Sequence, residues 1–438
     1  MKQHIIVREY ATLKSVKNPK VQDLTNLDEA EISQQDFDYL YELMHQKTSE
    51  AESQKKIFQL SSRTTLRVQN FVGVIETPTG TVLELLPKIA HLEDLNKLKE
   101  KLLDMILIAQ NIKYRKVDQA SLKSFKGPLN EYVARGFLLE LAYLLRQGIR
   151  QDYINIDDEQ LFLRGKLNLN KHVRHSVAKS HIFPIYHDIL GLNNAENRLL
   201  KTAVEFILNR TQDSYNKKNA LIFSHLMHDI PLSKQLEIDF SKWRSGRLVS
   251  HYQNIKSWCR LILQQKSPLA ISGLDKGYSL LFPMEKIFEE YVGYKLKMWL
   301  HSSYTLHTQY NKNYLLEKNN NKYFRLQPDF LIKENGQNVL VLDAKWKRLY
   351  QDKKQFGLSE SDVYQMYAYN HIYLKNTKNV ILIYPKQENF TKAIEKLKFL
   401  PSDKDGPQLW IIPYDLFSDE ICISLEGKVN FLSLFFRI

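Results

Sequence analysis

The sequence is poor in cysteine, glycine and proline, and these shortages narrow the class of protein it can encode. Its 438 residues include 2 cysteines, 15 glycines and 13 prolines. The two cysteines, Cys259 and Cys422, cannot build a disulfide framework and have no metal-ligand spacing, so they fit a reducing cytoplasm. With 43% hydrophobic residues and no low-complexity linker, the chain has the composition of a soluble globular protein.

Three further features are missing from the sequence. No apolar run approaches the roughly 18 residues of a transmembrane helix, so we expect no membrane partner. The first residues, MKQHIIVREY, lack the apolar core of a signal peptide, which again indicates the cytoplasm. No G-x-x-x-x-G-K-[ST] motif occurs, so any NTP hydrolysis that the function needs belongs to another chain or uses a different motif. We expect that this chain itself binds no nucleotide.

Acidic residues are outnumbered by basic ones. The chain has 62 Lys and Arg against 49 Asp and Glu, which gives a net charge of +13 and a pI of about 9.3. Because phosphate contacts dominate binding to nucleic acids, this excess favours DNA or RNA as a partner. The alternative is a soluble protein that is merely basic.

Apolar periodicity divides the chain into three predicted parts. Residues 1–90 form a small β-rich module, and residues 91–270 form a mainly helical middle region. Together they make an α+β N-terminal region. Residues 275–438 form an α/β domain with a mixed central sheet flanked by helices. The boundary before this domain is predicted within residues 267–277.

Residues 325–350, RLQPDFLIKENGQNVLVLDAKWKRLY, are predicted to form a β-hairpin. Asn335-Gly336 lies in the turn, within a loop that we expect to exceed two residues. Because strands have a period of two, Asp343 and Lys345 share a face, and antiparallel pairing brings Asp329 close to Asp343. Two carboxylates and a lysine can hold Mg²⁺ and a water molecule. The alternative is a surface hairpin with scattered charges.

Helices are predicted on both sides of this hairpin, at 284–300 and 361–375. In the first, Glu289 lies at the border of the buried face, whereas Glu290 belongs to an exposed stripe. Glu285 shares the side of Glu289, so the identity of a functional helix carboxylate stays open among these three. The simpler interpretation is that Glu289 is an ordinary glutamate at the border of the buried face, without a functional role. In the second helix, Gln365 and Tyr369 are four residues apart and share one face.

The order of these residues resembles a known nuclease fold. Glu289, Pro328-Asp329, Asp343-Ala344-Lys345 and Gln365-x-x-x-Tyr369 resemble the PD-(D/E)xK nuclease fold of the RecB-like type. The wider chain resembles the McrC family, the nuclease subunit of McrBC-type systems that restrict DNA carrying 5-methylcytosine. Outside the last domain, this resemblance is carried by Leu85-Leu86-Pro87-Lys88, Arg164-Gly165-Lys166-Leu167 and residues 193–199. Arg164-Gly165-Lys166 departs from the expected Arg-Gly-Arg.

The resemblance implies a metal-dependent endodeoxyribonuclease. It implies Mg²⁺, or Mn²⁺, held by Asp329, Asp343 and the carbonyl of Ala344, with Glu289 bound directly or through water. Lys345 would orient or help deprotonate the attacking water. Gln365 and Tyr369 would support the site or contact DNA.

The resemblance also implies partners. An McrB-like AAA+ GTPase ring would translocate modified double-stranded DNA, and the middle region of this chain would dock on the ring and stimulate it. Arg164 and Lys166 are candidates for the stimulating residues. The alternatives are a stand-alone DNA-repair nuclease of the RecB-like type and a non-catalytic stimulator of a partner NTPase.

Overall fold

A computed structural model describes most of the chain and groups it into two compact units. The described residues are 3–20, 22, 26–45, 56–90, 95–112, 127–175, 177–179, 181–244, 246, 252–263, 278–350, 354–375, 379–400 and 406–421. The first unit joins residues 1–111 to 267–438, and the second spans 112–266. The predicted boundary at 267–277 and Cys422 lie outside the described residues. The three-part division stays a prediction.

The described residues in the N-terminal part of the first unit form short strands and two helices. These elements are β1 (His4–Arg8), β2 (Thr12–Val16), β3 (Glu29–Ser33), α1 (Gln34–His45), β4 (Phe58–Ser62), β5 (Thr65–Val68), β6 (Phe71–Glu76), β7 (Val82–Leu86) and α2 (Leu95–Ala109). One sheet has the order β3-β2-β5-β4. The apolar residues of its strands share a core with α1, through Phe37, Leu40 and Leu43.

A second sheet of the first unit takes its last strand from far along the chain. Its order is β1-β7-β6-β11, where β11 is Tyr278–Pro283. β11 runs antiparallel to β6, with Leu281 opposite Gly73. β6 is buried along nearly its whole length, so the backbone groups of both its edges need partners, and β7 and β11 supply them. This pairing explains why the first and last predicted parts form one unit.

The second unit is mainly helical and carries a three-stranded sheet. Its elements are α3 (Leu129–Gln147), β8 (Asp152–Gln160), β9 (Lys166–Leu167), α4 (Leu169–His172), β10 (Phe183–Gly191), α5 (Ala195–Arg210), α6 (Ser214–Leu226), α7 (Leu236–Lys242) and α8 (Gln253–Leu263), with a 3₁₀ turn at Val177–Lys179. The sheet has the order β8-β10-β9. α5 begins at Ala195 because the Asn194 side chain accepts a hydrogen bond from the backbone N–H of Asn197 and caps the helix.

The C-terminal part of the first unit is built on a mixed seven-stranded sheet. Its elements are α9 (Met284–Trp299), β12 (Tyr304–Thr308), β13 (Asn313–Lys318), β14 (Asn321–Leu326), β15 (Phe330–Glu334), β16 (Gln337–Ala344), a 3₁₀ turn (Lys354–Gly357), α10 (Glu360–Leu374), β17 (Val380–Pro385), β18 (Ile394–Lys398), β19 (Gln408–Asp415) and β20 (Glu420–Ile421). The order is β12-β15-β16-β17-β19-β18, with β20 beside β19. β16, β17 and β19 are parallel, and the other pairings are antiparallel. The predicted mixed sheet with flanking helices is confirmed.

The two helices pack on opposite faces of this sheet. On one face, Met366 and Tyr369 of α10 share a core with Val341 and Leu382. On the other face, the ring of Phe288 of α9 lies 5.2 Å from the ring of Trp346 between centroids. No helix among the described residues is both long and apolar enough to cross a bilayer.

The hairpin loop is shorter than predicted. Glu334 pairs with Gln337, so the loop consists of Asn335 and Gly336 alone. Their φ angles are 49° and 82°, which is the geometry of a tight hairpin turn with two left-handed residues. The expectation of a longer loop was wrong because polar residues on both sides of the turn extend the ladder.

Candidate active site

The hairpin brings the two predicted aspartates together where its strands end. Phe330 lies opposite Leu342, and the same register places Asp329 opposite Asp343. The Asp343 side chain is buried, with 1% of its surface exposed. Asp329 Oδ2 accepts a hydrogen bond of 2.8 Å from the backbone N–H of Ala344. The sheet therefore fixes both carboxylates on rigid backbone.

Lys345, Gln365 and Tyr369 form one chain of contacts beside these aspartates. Lys345 Nζ lies 2.6 Å from Asp343 Oδ2 and donates a 2.9 Å hydrogen bond to Gln365 Oε1. Gln365 Nε2 donates to the Tyr369 hydroxyl at 2.7 Å. That hydroxyl donates to the backbone carbonyl of Gln327 at 2.8 Å. α10 is thus connected to the strand that carries Lys345 and to the segment before Asp329.

Glu289 joins the site through a residue that the sequence did not reveal. The Gln309 side-chain amide donates to Glu289 Oε1 and, at 3.2 Å, to Asp329 Oδ1. Gln309 follows β12 in irregular backbone, so no periodic pattern marks it. Glu290 is exposed. Glu285 acts electrostatically on Glu9, a separate buried carboxyl.

Gln327 is a second residue that was overlooked as a contributor to the site. Its side-chain amide donates to Gln309 Oε1, and its carbonyl holds Tyr369. A signal existed, because Gln327 precedes Asp329 by two residues, and in extended backbone this spacing places two side chains on the same side. Arg164 and Lys166, in contrast, are exposed residues of the second unit and belong to none of these contacts.

The electrostatics of the carboxylates favour a bound cation. Burial, followed by the charges of Asp343 and Glu289, raises the pKa of Asp329 to about 8. Burial also raises the pKa of Asp343, against the opposing charge of Lys345. The pKa of Glu289 is raised by burial too, with smaller contributions from Glu290 and Asp343. Three carboxyls that resist ionisation together form a site that an added positive charge would stabilise.

Lys345, unlike the three carboxyls, is stabilised in its charged form. Burial acts to lower its pKa, but the charges of Asp343 and Asp329 outweigh burial and leave the pKa raised. The ammonium therefore keeps its proton at neutral pH. In this state Lys345 is a donor and a positive charge, and it cannot accept a proton from water.

The donor set suits a hard divalent cation. Among the described residues, no group of three or more His, Cys, Asp or Glu side chains is already arranged as a metal site. The reason is visible in the contacts, since Gln309 separates Glu289 from Asp329 and Lys345 occupies one oxygen of Asp343. Asp329, Asp343 and a carbonyl nevertheless supply oxygen ligands of the kind that Mg²⁺ and Mn²⁺ take.

The raised pKa of Asp329 leads to a prediction about stability. A carboxyl whose pKa is higher in the folded state than in the unfolded state costs stability as pH rises from about 4 towards 8. In metal-free buffer we therefore expect Asp329→Asn to unfold at a higher temperature than the wild type. The difference should grow from pH 5 to pH 8 and then level off. Thermal unfolding followed by circular dichroism at several pH values measures it, and a difference that shrinks as pH rises would contradict the expectation.

The fold and the site define the class of this protein: a mixed α/β protein with an acidic cluster and a lysine at the end of a sheet hairpin. Residues 66–385 match the family described as McrBC 5-methylcytosine restriction system component. Because this match covers well over half of the sequence, the chain belongs to that family.

A solved structure shows the same fold. A chain from the refined half-complex of a tetradecameric assembly of Thermococcus gammatolerans McrB AAA+ hexamers with bound McrC superposes with a TM-score of 0.68. It is 17% identical, and the match covers 98% of this chain and 97% of that chain. A chain from the McrBC complex of the same organism gives a TM-score of 0.48 at 18% identity, with 66% and 86% of the two chains covered. No curated protein matches this chain.

Proposed function

We propose that this chain is the DNA-cleaving subunit of a modification-dependent restriction complex, with a nuclease domain of the PD-(D/E)xK type. One observation carries the proposal: Asp329 and Asp343 face each other across the end of the hairpin, with Lys345 at 2.6 Å from Asp343. The family to which the chain belongs supports it, since that family acts in restriction.

The backbone at the end of β16 is suited to complete a metal site. The N–H of Lys345 donates to Ile383 on β17 at 2.8 Å. In a trans peptide the preceding carbonyl, that of Ala344, points the opposite way, towards Asp329. Asp329, Asp343 and this carbonyl would hold Mg²⁺, and Glu289 would take part through water. A bound Mg²⁺ would lower the pKa of a coordinated water molecule and stabilise the negative charge that develops on the phosphate.

Lys345 would orient the attacking water and offset charge on the scissile phosphate. Its raised pKa favours these roles over proton abstraction. Gln365 holds the ammonium in place, and Tyr369 holds Gln365. Gln309 would keep Glu289 directed at the same space. Preorganised groups of this kind lower the barrier because they need not reorient during the reaction.

The hairpin of β13 and β14 is suited to contact DNA beside the site. β13 pairs with β14 as a separate two-stranded ladder, and β14 leads within three residues to Asp329. It exposes Lys318, Lys322 and Arg325 together with Phe324, whose exposed fraction is 70%. Basic side chains near aromatic rings match the phosphates and bases of nucleic acid.

The second unit would dock on an McrB-like AAA+ GTPase ring and stimulate it. β8 and β10 form a nine-residue ladder, and residues 161–163 beyond it are exposed leucine and phenylalanine side chains, with Phe162 at 61%. Exposed apolar clusters usually mark interaction sites. Arg164 and Lys166 follow directly, where a partner bound to the apolar residues would also meet positive charge.

A substitution at these apolar residues tests the docking surface. We expect the double substitution Phe162→Ser, Leu163→Ser to weaken binding to the McrB-like partner at least about tenfold, because burial of both side chains contributes a few kcal/mol. Stability should stay unchanged, since both residues are exposed. Leu221→Ser, at an exposed leucine of α6, is the matched control. Binding is measured by light scattering or interferometry, and unchanged affinity of the double variant would contradict this assignment.

DNA cleavage tests the function itself. The full-length chain is mixed with plasmid DNA that carries or lacks 5-methylcytosine, with Mg²⁺ or EDTA, and with or without the McrB-like partner and GTP. The proposal expects cleavage of modified DNA only when Mg²⁺, partner and GTP are all present. Cleavage without partner and nucleotide would indicate a stand-alone nuclease. Stimulated GTP hydrolysis without any cleavage would indicate a non-catalytic regulator.

A further inference from the structure

Three side chains that follow different strands meet in the interior of the first unit. Glu9 follows β1, Lys88 follows β7 and Trp346 follows β16, and each is at most 2% exposed. Lys88 Nζ donates to the backbone carbonyl of Trp346 at 2.7 Å. Glu9 Oε2 accepts two hydrogen bonds of 2.8 Å, from the Trp346 indole and from the backbone N–H of Lys88. We call these three residues the buried clamp.

The buried clamp contacts two of the three segments that carry the carboxyls of the site, namely α9 and the end of β16. Trp346 directly follows Lys345 in the chain. Its ring packs on Phe288 at 5.2 Å between centroids, and Phe288 directly precedes Glu289. The Lys88 ammonium also lies 5.1 Å from the centroid of the Trp346 ring. A displacement of Trp346 would therefore move Lys345 and Glu289 relative to each other.

We propose that Lys88 and Glu9 are positioning residues, which fix the end of β16 so that Asp343 and Lys345 meet the scissile phosphate in the reactive geometry. This inference rests on the proposed nuclease function. Lys88 belongs to the Leu85-Leu86-Pro87-Lys88 stretch, which has no role in the proposed cleavage reaction. Lys88 and Trp346 are 258 residues apart, and nothing else in the mechanism requires this contact.

The chemistry of the buried clamp supports positioning over simple packing. A buried ammonium is costly, and burial lowers the pKa of Lys88 to about 8. An apolar side chain of similar length would fill the same space at lower cost. The lysine ammonium adds a hydrogen bond to one backbone carbonyl, that of Trp346, just beyond the end of β16. Glu9 in turn fixes both the lysine backbone and the indole.

Substitution of Lys88 by methionine keeps the length of the side chain and removes the donor. We expect Lys88→Met to lower kcat for DNA cleavage about 10-fold to 100-fold, because small misplacements of catalytic groups have effects of this size. The Kd for DNA should stay unchanged, since Lys88 is buried and touches no substrate. Glu9→Ala should behave like Lys88→Met, and Glu9→Gln, which keeps an acceptor for the indole, should recover most of the lost kcat.

The matched control is Lys99→Met. Lys99 pairs at 2.6 Å with Glu84, a buried carboxylate of the same module, but neither residue touches Trp346 in the described structure. Cleavage is measured under single-turnover conditions with the McrB-like partner present. The indole N–H resonance of Trp346 in protein labelled with ¹⁵N-tryptophan reports the contact without any cleavage. It is assigned with Trp346→Phe, since the chain has 5 tryptophans.

The outcomes separate this proposal from the proposed function. A lower kcat with unchanged Kd and a shifted Trp346 resonance in Lys88→Met, but not in Lys99→Met, supports positioning. Wild-type kcat in Lys88→Met, or an equal loss in Lys99→Met, overturns it. If the wild-type chain does not cleave DNA, the proposed function is wrong. The indole resonance still tests positioning in that case: if it does not shift in Lys88→Met, Lys88 does not hold Trp346 and the positioning proposal is wrong.

Discussion

Asp343→Asn is expected to abolish DNA cleavage, with a loss in kcat of at least about a thousandfold. The substitution keeps the shape of the side chain and removes the charge that would hold Mg²⁺ opposite Asp329. Stabilisation by a metal contributes several kcal/mol to the transition state, and each 1.36 kcal/mol corresponds to about tenfold in rate. The measurement is cleavage of modified DNA with Mg²⁺, GTP and the McrB-like partner.

The control for this loss is Asp415→Asn. Asp415 pairs with Lys386 at 2.7 Å in the same sheet, so its substitution also removes an aspartate–lysine pair, but away from the cluster. Asp343→Asn should still bind the partner and stimulate its GTP hydrolysis, because docking is assigned to the second unit. Cleavage by Asp343→Asn at the rate of the wild type would sink the assignment of this site.

Gly73→Ala is expected to have the largest effect on folding. Gly73 has a φ of +133°, which side chains rarely adopt, and a Cβ atom there would lie 1.9 Å from the carbonyl oxygen of Leu280 on β11. Neither backbone can yield without breaking the pairing of β6 with β11. Backbone strain and overpacking each cost about 1–3 kcal/mol, so we expect a combined loss of about 3–5 kcal/mol in the free energy of unfolding.

Urea unfolding of the full-length chain measures this loss. Gly336→Ala separates strain from collision, because Gly336 also has a positive φ, of +82°, but a Cβ there meets no atom of the described residues within 4 Å. It should cost only about 1 kcal/mol. If Gly73→Ala unfolded at the same urea concentration as Gly336→Ala, the close approach of β11 to β6 would be disproved.

Elements with strong local patterns were predictable from the sequence. The helix predicted at 284–300 is Met284–Trp299, and the one predicted at 361–375 is Glu360–Leu374. Asp329 and Asp343 were placed together correctly because the period of a strand and the position of a turn depend only on nearby residues. Helical periodicity likewise predicted that Glu290 is exposed and that Glu289 lies at the border of the buried face.

Contacts between distant parts of the chain were not predictable. The pairing of β11 with β6 joins residues about 200 positions apart, and neither strand carries a signal for its partner. β13 and β14 were not predicted, because their sequences lack the alternation of apolar and polar residues that marks a half-buried strand. Gln309 escaped notice because its role depends on where α9 and β15 meet, which no local pattern encodes.

The sheet shared between the first and last parts of the chain has a consequence for how the protein can be divided into fragments. A fragment that begins after residue 270 would retain β11 but lose β6, and with it every backbone partner of that strand in the sheet. An unpaired apolar strand is prone to aggregate. The chain between the two ends is the second unit, which is inserted in sequence between β6 and β11. Fragments 1–111 and 267–438, produced together without the insert, are therefore the pair expected to reconstitute the unit to which cleavage is assigned.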